Sequence, residues 1–180
     1  FEEATVDSVH RAMASGDLTC VALTEYYLRR IEAYDQQGPT LNALLTVNPR
    51  AREIAAEMDA ELARSGTAGR PLHGIPVILK DNYDTCDMPT TAGALALAAS
   101  TPPDDAFVVA RLRAAGALFI AKSNLTELAL GGTTVSSLGG QTRNPYELSR
   151  TPGGSSGGTG AAVAADFGLL GTGSDTGQSI

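Results

Sequence analysis

The stretch Ile75-Pro-Val-Ile-Leu79, followed directly by Lys80-Asp81-Asn82, decides the fold class of this chain. A short apolar run that contains β-branched residues is typical of a strand buried on both faces. A second run of this kind, Ala117-Leu-Phe-Ile-Ala121, ends in Lys122-Ser123-Asn124. The segment between the two runs has a helical pattern. Because strands alternate with a helix, we predict an α/β domain with a layered mixed or parallel sheet.

Helices are predicted to cover this sheet and to dominate the first third of the chain. Apolar residues recur at helical spacing from Cys20 onward, and Thr19 is a suitable N-cap. A second amphipathic helix is predicted from about residue 49 to 64, and Gly66 follows its end. A short strand over residues 41–47 is expected between these two helices.

The chain around the second buried strand is predicted to contain a helix, a turn and a long loop. Asp104 or Asp105 is expected to cap the helix that precedes this strand. Asn124 and Glu127, which follow the strand, have the spacing of an N-cap and capping box. The segment from residue 131 to 160 is rich in Gly, Ser, Thr, Asn and Pro, which predicts a long loop.

Composition restricts the classes of protein to consider. The 180 residues are 43% hydrophobic and 18% charged, as in a globular domain with a real core. The net charge of -7 argues against a nucleic-acid partner, and no apolar run approaches the ~18 residues of a membrane span. The chain begins with Phe1 rather than Met, so secretion after removal of a leader stays open beside a cytoplasmic location.

Neither the cysteines nor the histidines indicate a metal site. Cys20 and Cys86 lie far apart in the sequence and are interpreted as ordinary free thiols. His10 and His73 have no partner at metal-ligand spacing. We therefore predict a protein without a metal or an organic cofactor.

Two glycine-rich loops indicate acyl-transfer chemistry: Thr151-Pro-Gly-Gly-Ser-Ser-Gly-Gly-Thr-Gly160 and Gly171-Thr-Gly-Ser-Asp-Thr-Gly-Gln-Ser-Ile180. Glycine lets the backbone approach a reacting atom closely, and successive N–H groups in such a turn can converge on an oxyanion. Ser179 follows the turn-prone run Asp175-Thr-Gly-Gln and is the candidate nucleophile. A serine nucleophile still needs a base.

Two residues compete for the role of that base. His73 is the conventional choice, but it precedes a strand, where a side chain is often only an edge residue. Lys80 follows an apolar run, where desolvation would lower its pKa and favour the neutral amine. Lys80 can also be interpreted as the ion-pair partner of Asp81 or Asp84 at a strand end. The residues by themselves leave the base open.

Three blocks, in this order, resemble the signature blocks of the amidase signature family: Gly74-Ile-Pro-Val-Ile-Leu-Lys80-Asp81, Gly153-Gly-Ser-Ser-Gly-Gly158 and Gly173-Ser-Asp-Thr-Gly-Gln-Ser-Ile180. The segments Lys122-Ser-Asn124 and Gln141-Thr-Arg-Asn144-Pro145 resemble its connecting blocks. The resemblance covers residues 71–180, and the helical first third also fits. It implies the amidase-signature fold, with residues 1–180 as one domain that is the N-terminal portion of an amidase-signature domain continuing beyond residue 180.

The resemblance implies a Ser-Ser-Lys triad that works without a cofactor. Lys80 matches the family's base, Ser155 matches a bridging serine that usually has a cis peptide bond, and Ser179 matches the acylated nucleophile. Asp175 is expected to fix the turn before the nucleophile. The oxyanion hole would consist of the backbone N–H groups of Thr176, Gly177, Gln178 and Ser179.

Three further positions are expected near the substrate. Ser156 is expected to orient Lys80 or its own loop by hydrogen bonding. Ala129 matches a position whose backbone faces the substrate in family members, although packing also explains an alanine there. Gln178 departs from the family, which usually has glycine or another small residue at this position. If the position requires a positive φ, glutamine would strain the loop; if it does not, Gln178 is a candidate specificity element.

The activity implied by the resemblance is hydrolysis of the carboxamide C–N bond of a small molecule through an acyl-serine intermediate. The glutamine-hydrolysing subunit of an amidotransferase, which needs partner subunits and tRNA, is an alternative. A non-catalytic fragment or binding module is the alternative if the chain ends at residue 180, and a homodimer stays open. Asp175-Thr-Gly resembles the aspartic-protease triplet but has no second copy, and neither glycine-rich loop completes a phosphate-binding motif.

Overall fold

Five helices and six strands make up the computed structural model, which describes residues 4–66 and 69–180. Two short 3-10 turns complete these elements, at Leu95–Leu97 and Glu127–Ala129. In chain order the elements are α1 Val6–Ser15, α2 Cys20–Tyr34, β1 Leu44–Val47, α3 Ala51–Ser65, β2 Pro76–Lys80, α4 Phe107–Ala114, β3 Leu118–Ser123, β4 Val135–Ser136, β5 Gly140–Gln141, α5 Gly157–Ala164 and β6 Leu170–Gly171.

A four-stranded mixed sheet in the order β1-β3-β2-β6 forms the centre of the fold. Strand β2 lies parallel to both β3 and β6, whereas β1 lies antiparallel to β3. Every residue of β2 and β3 is buried, because neighbouring strands cover their edges while helices and loops cover their faces. The predicted α/β fold with two buried central strands is confirmed.

The helices predicted in the first third are also present. The side chain of Thr19 accepts a hydrogen bond from the backbone N–H of Ala22 and caps α2. Gly66 follows α3 as its C-cap, and its φ of 71° lies in the left-handed region that favours glycine. Cys20 is buried and Cys86 is exposed, and both are free thiols.

Two predicted helix caps are wrong, because the side chains of Asp105, Asn124 and Glu127 form hydrogen bonds with other residues instead. Neither Asp104 nor Asp105 caps α4; Asp105 instead accepts hydrogen bonds from the Arg113 guanidinium at 2.7 Å and from the backbone of Cys86. A charged donor on α4 holds this carboxylate more strongly than a backbone N–H would. No helix begins at Asn124: its amide donates to Gly140 O, and the Glu127 carboxylate accepts from Ser137 N at 2.6 Å. These side chains stabilise the loop around β4 and β5 instead.

That loop is not entirely irregular, since β4 and β5 form a two-stranded antiparallel hairpin within it. Helix α5 then begins at Gly157, inside the glycine-rich segment. The result is that β2 and α5 approach each other where β2 ends and α5 begins. Both predicted glycine-rich loops lie at this place.

Candidate active site

The amine of Lys80, at the end of β2, lies among the residues of both glycine-rich loops. Its Nζ is 2.7 Å from Ser155 Oγ, 2.9 Å from Ser156 Oγ and 3.0 Å from the carbonyl oxygen of Ser174. Lys80 and Ser155 are fully buried. The structure therefore brings together two serines and a lysine that are about 75 residues apart in the sequence.

Lys80 forms no ion pair with Asp81 or Asp84, the two partners considered from the sequence. The Asp81 carboxylate faces the opposite side of the sheet, where it lies 3.1 Å from Lys122 Nζ. Within residues 4–66 and 69–180, no carboxylate is within ion-pair distance of Lys80. Burial lowers the pKa of Lys80 below its ordinary value, and the negative charge of Asp175 opposes this shift only in part. The N-terminus of α5, which begins beside Ser156, disfavours the ammonium further.

The hydrogen bonds around Lys80 favour a particular direction of proton transfer. Ser156 Oγ lies 3.2 Å from the Ser174 carbonyl, which can only accept, so the Ser156 hydroxyl donates to it. A neutral Lys80 amine then directs its two N–H groups to Ser156 Oγ and to the same carbonyl. Its lone pair remains for the third neighbour, the hydroxyl of Ser155. This arrangement suits an amine that accepts a proton from Ser155.

Ser155 is held in place by residues outside the glycine-rich loop. The Gly154–Ser155 peptide bond is cis. Thr134 Oγ1 donates to Gly153 O at 2.6 Å and accepts from Gly157 N at 3.1 Å, so this side chain holds both ends of the loop. Sequence reasoning missed Thr134, because it lies in a segment that shows only loop composition.

Ser179 is buried, and its carbonyl accepts a hydrogen bond from the backbone N–H of Ser156 at 3.1 Å. This bond connects the two glycine-rich loops directly. Over the described ranges 4–66 and 69–180, the structure shows no hydrogen bond between the hydroxyls of Ser179 and Ser155. The connection is therefore through the backbone.

The four residues that were expected to form an oxyanion hole are the turn residues 176–178 and Ser179 itself. The N–H of Gly177 donates to the Asp175 carboxylate at 2.7 Å, so Asp175 organises the turn and occupies this donor. The N–H groups of Thr176, Gln178 and Ser179 make no hydrogen bond with any described residue. Three of the four expected donors are thus available to a ligand.

Two cavities, of about 600 and 500 Å³, meet at Ser179. Gly132, Gln178 and Ser179 line both of them. Ser156 lines the larger cavity and Ala129 lines the smaller one. All the site residues expected from the sequence therefore line these cavities or contact a residue that does.

Gln178 occupies its position without backbone strain. Its φ is not among the positive values of the described residues, so the position does not demand glycine. The side chain is exposed at the boundary of both cavities. Its carboxamide can donate and accept hydrogen bonds there.

His73 is not part of this site. It is fully buried, and its Nε2 lies 3.1 Å from the carbonyl of Met58 in the middle of α3. Because a carbonyl only accepts, Nε2 carries the proton, and Nδ1 is left to accept from the Arg70 guanidinium. The imidazole therefore anchors α3 against the start of β2.

A pH effect on stability follows for His73. Burial, with a smaller contribution from Arg70, lowers the pKa of His73 below its ordinary value of 6.5. The unfolded chain therefore binds the proton more readily, and this stabilising contribution is complete above pH 6.5 and is lost as the pH falls below it. We expect His73→Gln to flatten the fall of the thermal midpoint between about pH 6.5 and 5. An unchanged slope in the variant would refute the assignment.

Cys86, Asp87 and Asp105 form a cluster of metal-type ligands in the described part of the chain. Arg113 donates to both carboxylates, which accounts for their proximity.

None of the helices in residues 4–66 and 69–180 combines the length and apolar character of a bilayer span.

Known proteins share both the sequence pattern and the fold of this chain. The family model described as Amidase matches residues 22–180. A glutamyl-tRNA(Gln) amidotransferase subunit from Chloroflexus aggregans is 47% identical over 176 residues, which are 98% of this chain and 36% of that protein. The native peptide amidase from Stenotrophomonas maltophilia matches with a TM-score of 0.94 at 45% identity, over 99% of this chain and 37% of the other.

A more distant structure, fatty acid amide hydrolase, still matches with a TM-score of 0.90 at 27% identity, over 99% of this chain and 31% of the other. The chain thus spans about a third of the length of the relatives that it resembles. The family model and these relatives, taken with the fold, show that the chain belongs to the amidase signature family.

Proposed function

We propose that the protein containing this chain hydrolyses a carboxamide C–N bond through an acyl intermediate on Ser179, with Lys80 and Ser155 as the proton relay. The observation that carries the proposal is the environment of Lys80. Its amine is fully buried, has no carboxylate within ion-pair distance in the described residues, and lies 2.7 Å from the Ser155 hydroxyl. A buried lysine of lowered pKa can serve as a base near neutral pH.

The proposed reaction begins with proton transfer along the relay. Neutral Lys80 accepts a proton from Ser155, which accepts one from Ser179 as Ser179 Oγ attacks the substrate carbonyl carbon. The carbonyl oxygen then carries the negative charge of the tetrahedral intermediate. Collapse of that intermediate breaks the C–N bond, and the relay runs backwards to protonate the leaving amine. Attack by water on the acyl-Ser179 ester, along the same relay, releases the carboxylic acid.

The turn before Ser179 is proposed to stabilise the oxyanion. The unoccupied N–H groups of Thr176, Gln178 and Ser179 are available for this purpose, and the Asp175–Gly177 hydrogen bond fixes their direction. Donors that are fixed before the reaction need no reorganisation when charge develops. Gly177 contributes the backbone freedom of the turn, and its own N–H serves Asp175.

The two cavities that meet at Ser179 suit an acyl group on one side and a leaving group on the other. No charged side chain of the described residues lines either cavity. The candidate substrates divide into uncharged amides, such as a C-terminally amidated peptide, and free glutamine. Identity alone does not separate these classes, since the peptide amidase is 45% identical to this chain and the amidotransferase relative is 47% identical. Ammonia release from a C-terminally amidated peptide and from glutamine would separate them.

Covalent labelling tests the proposed nucleophile. We expect a serine-directed fluorophosphonate to label the natural full-length protein at Ser179, because the relay activates this hydroxyl and the N–H donors beside it can bind the phosphonyl oxygen. Peptide mass mapping of the adduct is the measurement. Ser179→Ala should abolish labelling, and Ser155→Ala should slow it by about a hundredfold or more, the usual size of a lost acid–base group. An adduct on any other serine would overturn the assignment.

A further inference from the structure

A buried ion pair on the face of the sheet opposite Lys80 is connected to the wall of the smaller cavity. Lys122 and Asp81 are both fully or almost fully buried, and Lys122 Nζ lies 3.1 Å from Asp81 Oδ1. The same amine donates to the carbonyls of Tyr83 and Pro89 at 2.9 and 3.0 Å. The pair thus fixes the position of the loop that follows β2.

The Asp81 side chain continues this network into Thr91. Its Oδ2 accepts hydrogen bonds from both the backbone N–H and the hydroxyl of Thr91. The Thr91 hydroxyl oxygen in turn accepts from the N–H of Gly93 at 3.0 Å. The N–H of Ala92 donates to the Asp81 carbonyl at 2.9 Å. Three hydrogen bonds therefore hold Thr91 and Ala92 to Asp81, and a fourth joins Gly93 to the Thr91 hydroxyl.

Ala92 connects these hydrogen bonds to a turn that lines the smaller cavity. Its carbonyl accepts a hydrogen bond from the N–H of Leu128 at 2.8 Å. Leu128 and Ala129 have φ values of 53° and 59°, and Ala92 itself has a φ of 49°. Residues with a Cβ rarely adopt this left-handed conformation, so surrounding contacts must enforce it. Ala129 and Gly131, which lie in this turn and just after it, line the smaller cavity together with Ser179.

The geometry points to the Asp81–Lys122 pair and Thr91 as positioning residues that hold the Leu128–Ala129 turn as the substrate-facing wall across from Ser179. None of the three touches the cavity or the Lys80 amine. They act through Ala92 on the turn, and hence on how well the substrate is held. This inference rests on the proposed function, because it takes the smaller cavity as a substrate site.

The test uses two buried threonines that can be replaced by isosteric valine in the full-length protein. Thr91→Val removes the hydroxyl that links Asp81 to Gly93. Thr85→Val is the matched control: the Thr85 hydroxyl is equally buried and lies 3.3 Å from Lys122 Nζ, but it donates to Met88 and has no bond toward Leu128. Both variants lose a hydroxyl near the same ion pair, and only one lies on the path to the cavity.

We expect Thr91→Val to raise KM for an amide substrate about fivefold or more, because both hydrogen bonds of the Thr91 hydroxyl are lost, with kcat changed less than twofold. Amide hydrogen exchange at Leu128 should become faster in this variant. Thr85→Val should leave KM and this exchange rate unchanged. A wild-type KM in Thr91→Val, or an equal rise in both variants, would overturn the inference. Failure of Ser179 to label in the wild-type protein would refute the proposed function itself, which keeps the two failures distinct.

Discussion

Lys80→Met is expected to lower the rate at which Ser179 is acylated by about a thousandfold or more, which is the usual size of a lost general base. Methionine keeps most of the volume of the lysine stem but supplies no lone pair that can accept a proton from Ser155. The change also removes the desolvation cost of a buried polar amine, which partly offsets the lost hydrogen bonds. We therefore expect the variant to fold. The measurement is the rate of fluorophosphonate labelling at saturating reagent.

The pH dependence of this rate provides the control for the role of Lys80. The wild-type rate should rise with pH, because only the neutral amine accepts a proton, and the inflection should lie below the ordinary lysine pKa of 10.5. In Lys80→Met this inflection should vanish. A variant that retained the wild-type rate at neutral pH would show that a base other than Lys80 activates Ser179.

Lys122→Met is expected to lower the stability of the fold strongly, whereas Lys80→Met is expected to lower the acylation rate and leave the fold intact. The change leaves the Asp81 carboxylate buried without its counter-charge, and removing one partner of such a pair typically costs about 3–5 kcal/mol of the free energy of unfolding. Amide hydrogen exchange in β2 and β3 is the measurement, because it reports on local stability in a long protein. The protection of both strands should fall.

A double variant separates the charge effect from mere loss of volume. Asp81→Asn combined with Lys122→Met leaves no buried unpaired charge, so most of the lost protection should return. A double variant as unstable as Lys122→Met would show that the contacts of the Lys122 amine with the loop carbonyls dominate. Lys80→Met, which breaks no ion pair, should change this protection far less than Lys122→Met does.

These two lysines also mark the limit of what the sequence can reveal. Lys80 and Lys122 each follow an apolar run of five residues, and each is followed by a polar residue and an asparagine. The local pattern is the same, and burial with a lowered pKa, which was expected for Lys80 alone, is found for both lysines. Only the resemblance to a family distinguished Lys80 from Lys122 at the level of the sequence.

The ambiguity arises because the spacing of residues along the chain does not determine which side chains meet on a face of the sheet. Asp81 directly follows the last residue of β2, and its N–H still pairs with Ser123 of β3, so its side chain points to the face opposite that of Lys80. Its side chain therefore faces Lys122 on the neighbouring strand, whereas Lys80 faces the serines at the start of α5. The wrong helix caps at Asp105 and Asn124 have the same origin, since partners distant in the sequence displaced the local hydrogen bonds.

The sequence by itself determined the two central strands, the main helices that cover them, and the glycine-rich loops with their candidate serines. Apolar runs, helical periodicity and glycine act over short distances, and these properties are sufficient for such elements. The tertiary structure alone decided which lysine lacks a counter-charge, which N–H groups of residues 176–179 make no hydrogen bond within the described residues, and how Asp81 reaches the turn at Ala129. These outcomes depend on the distances between atoms of β2, β3, α5 and the loops, which only the packed sheet fixes.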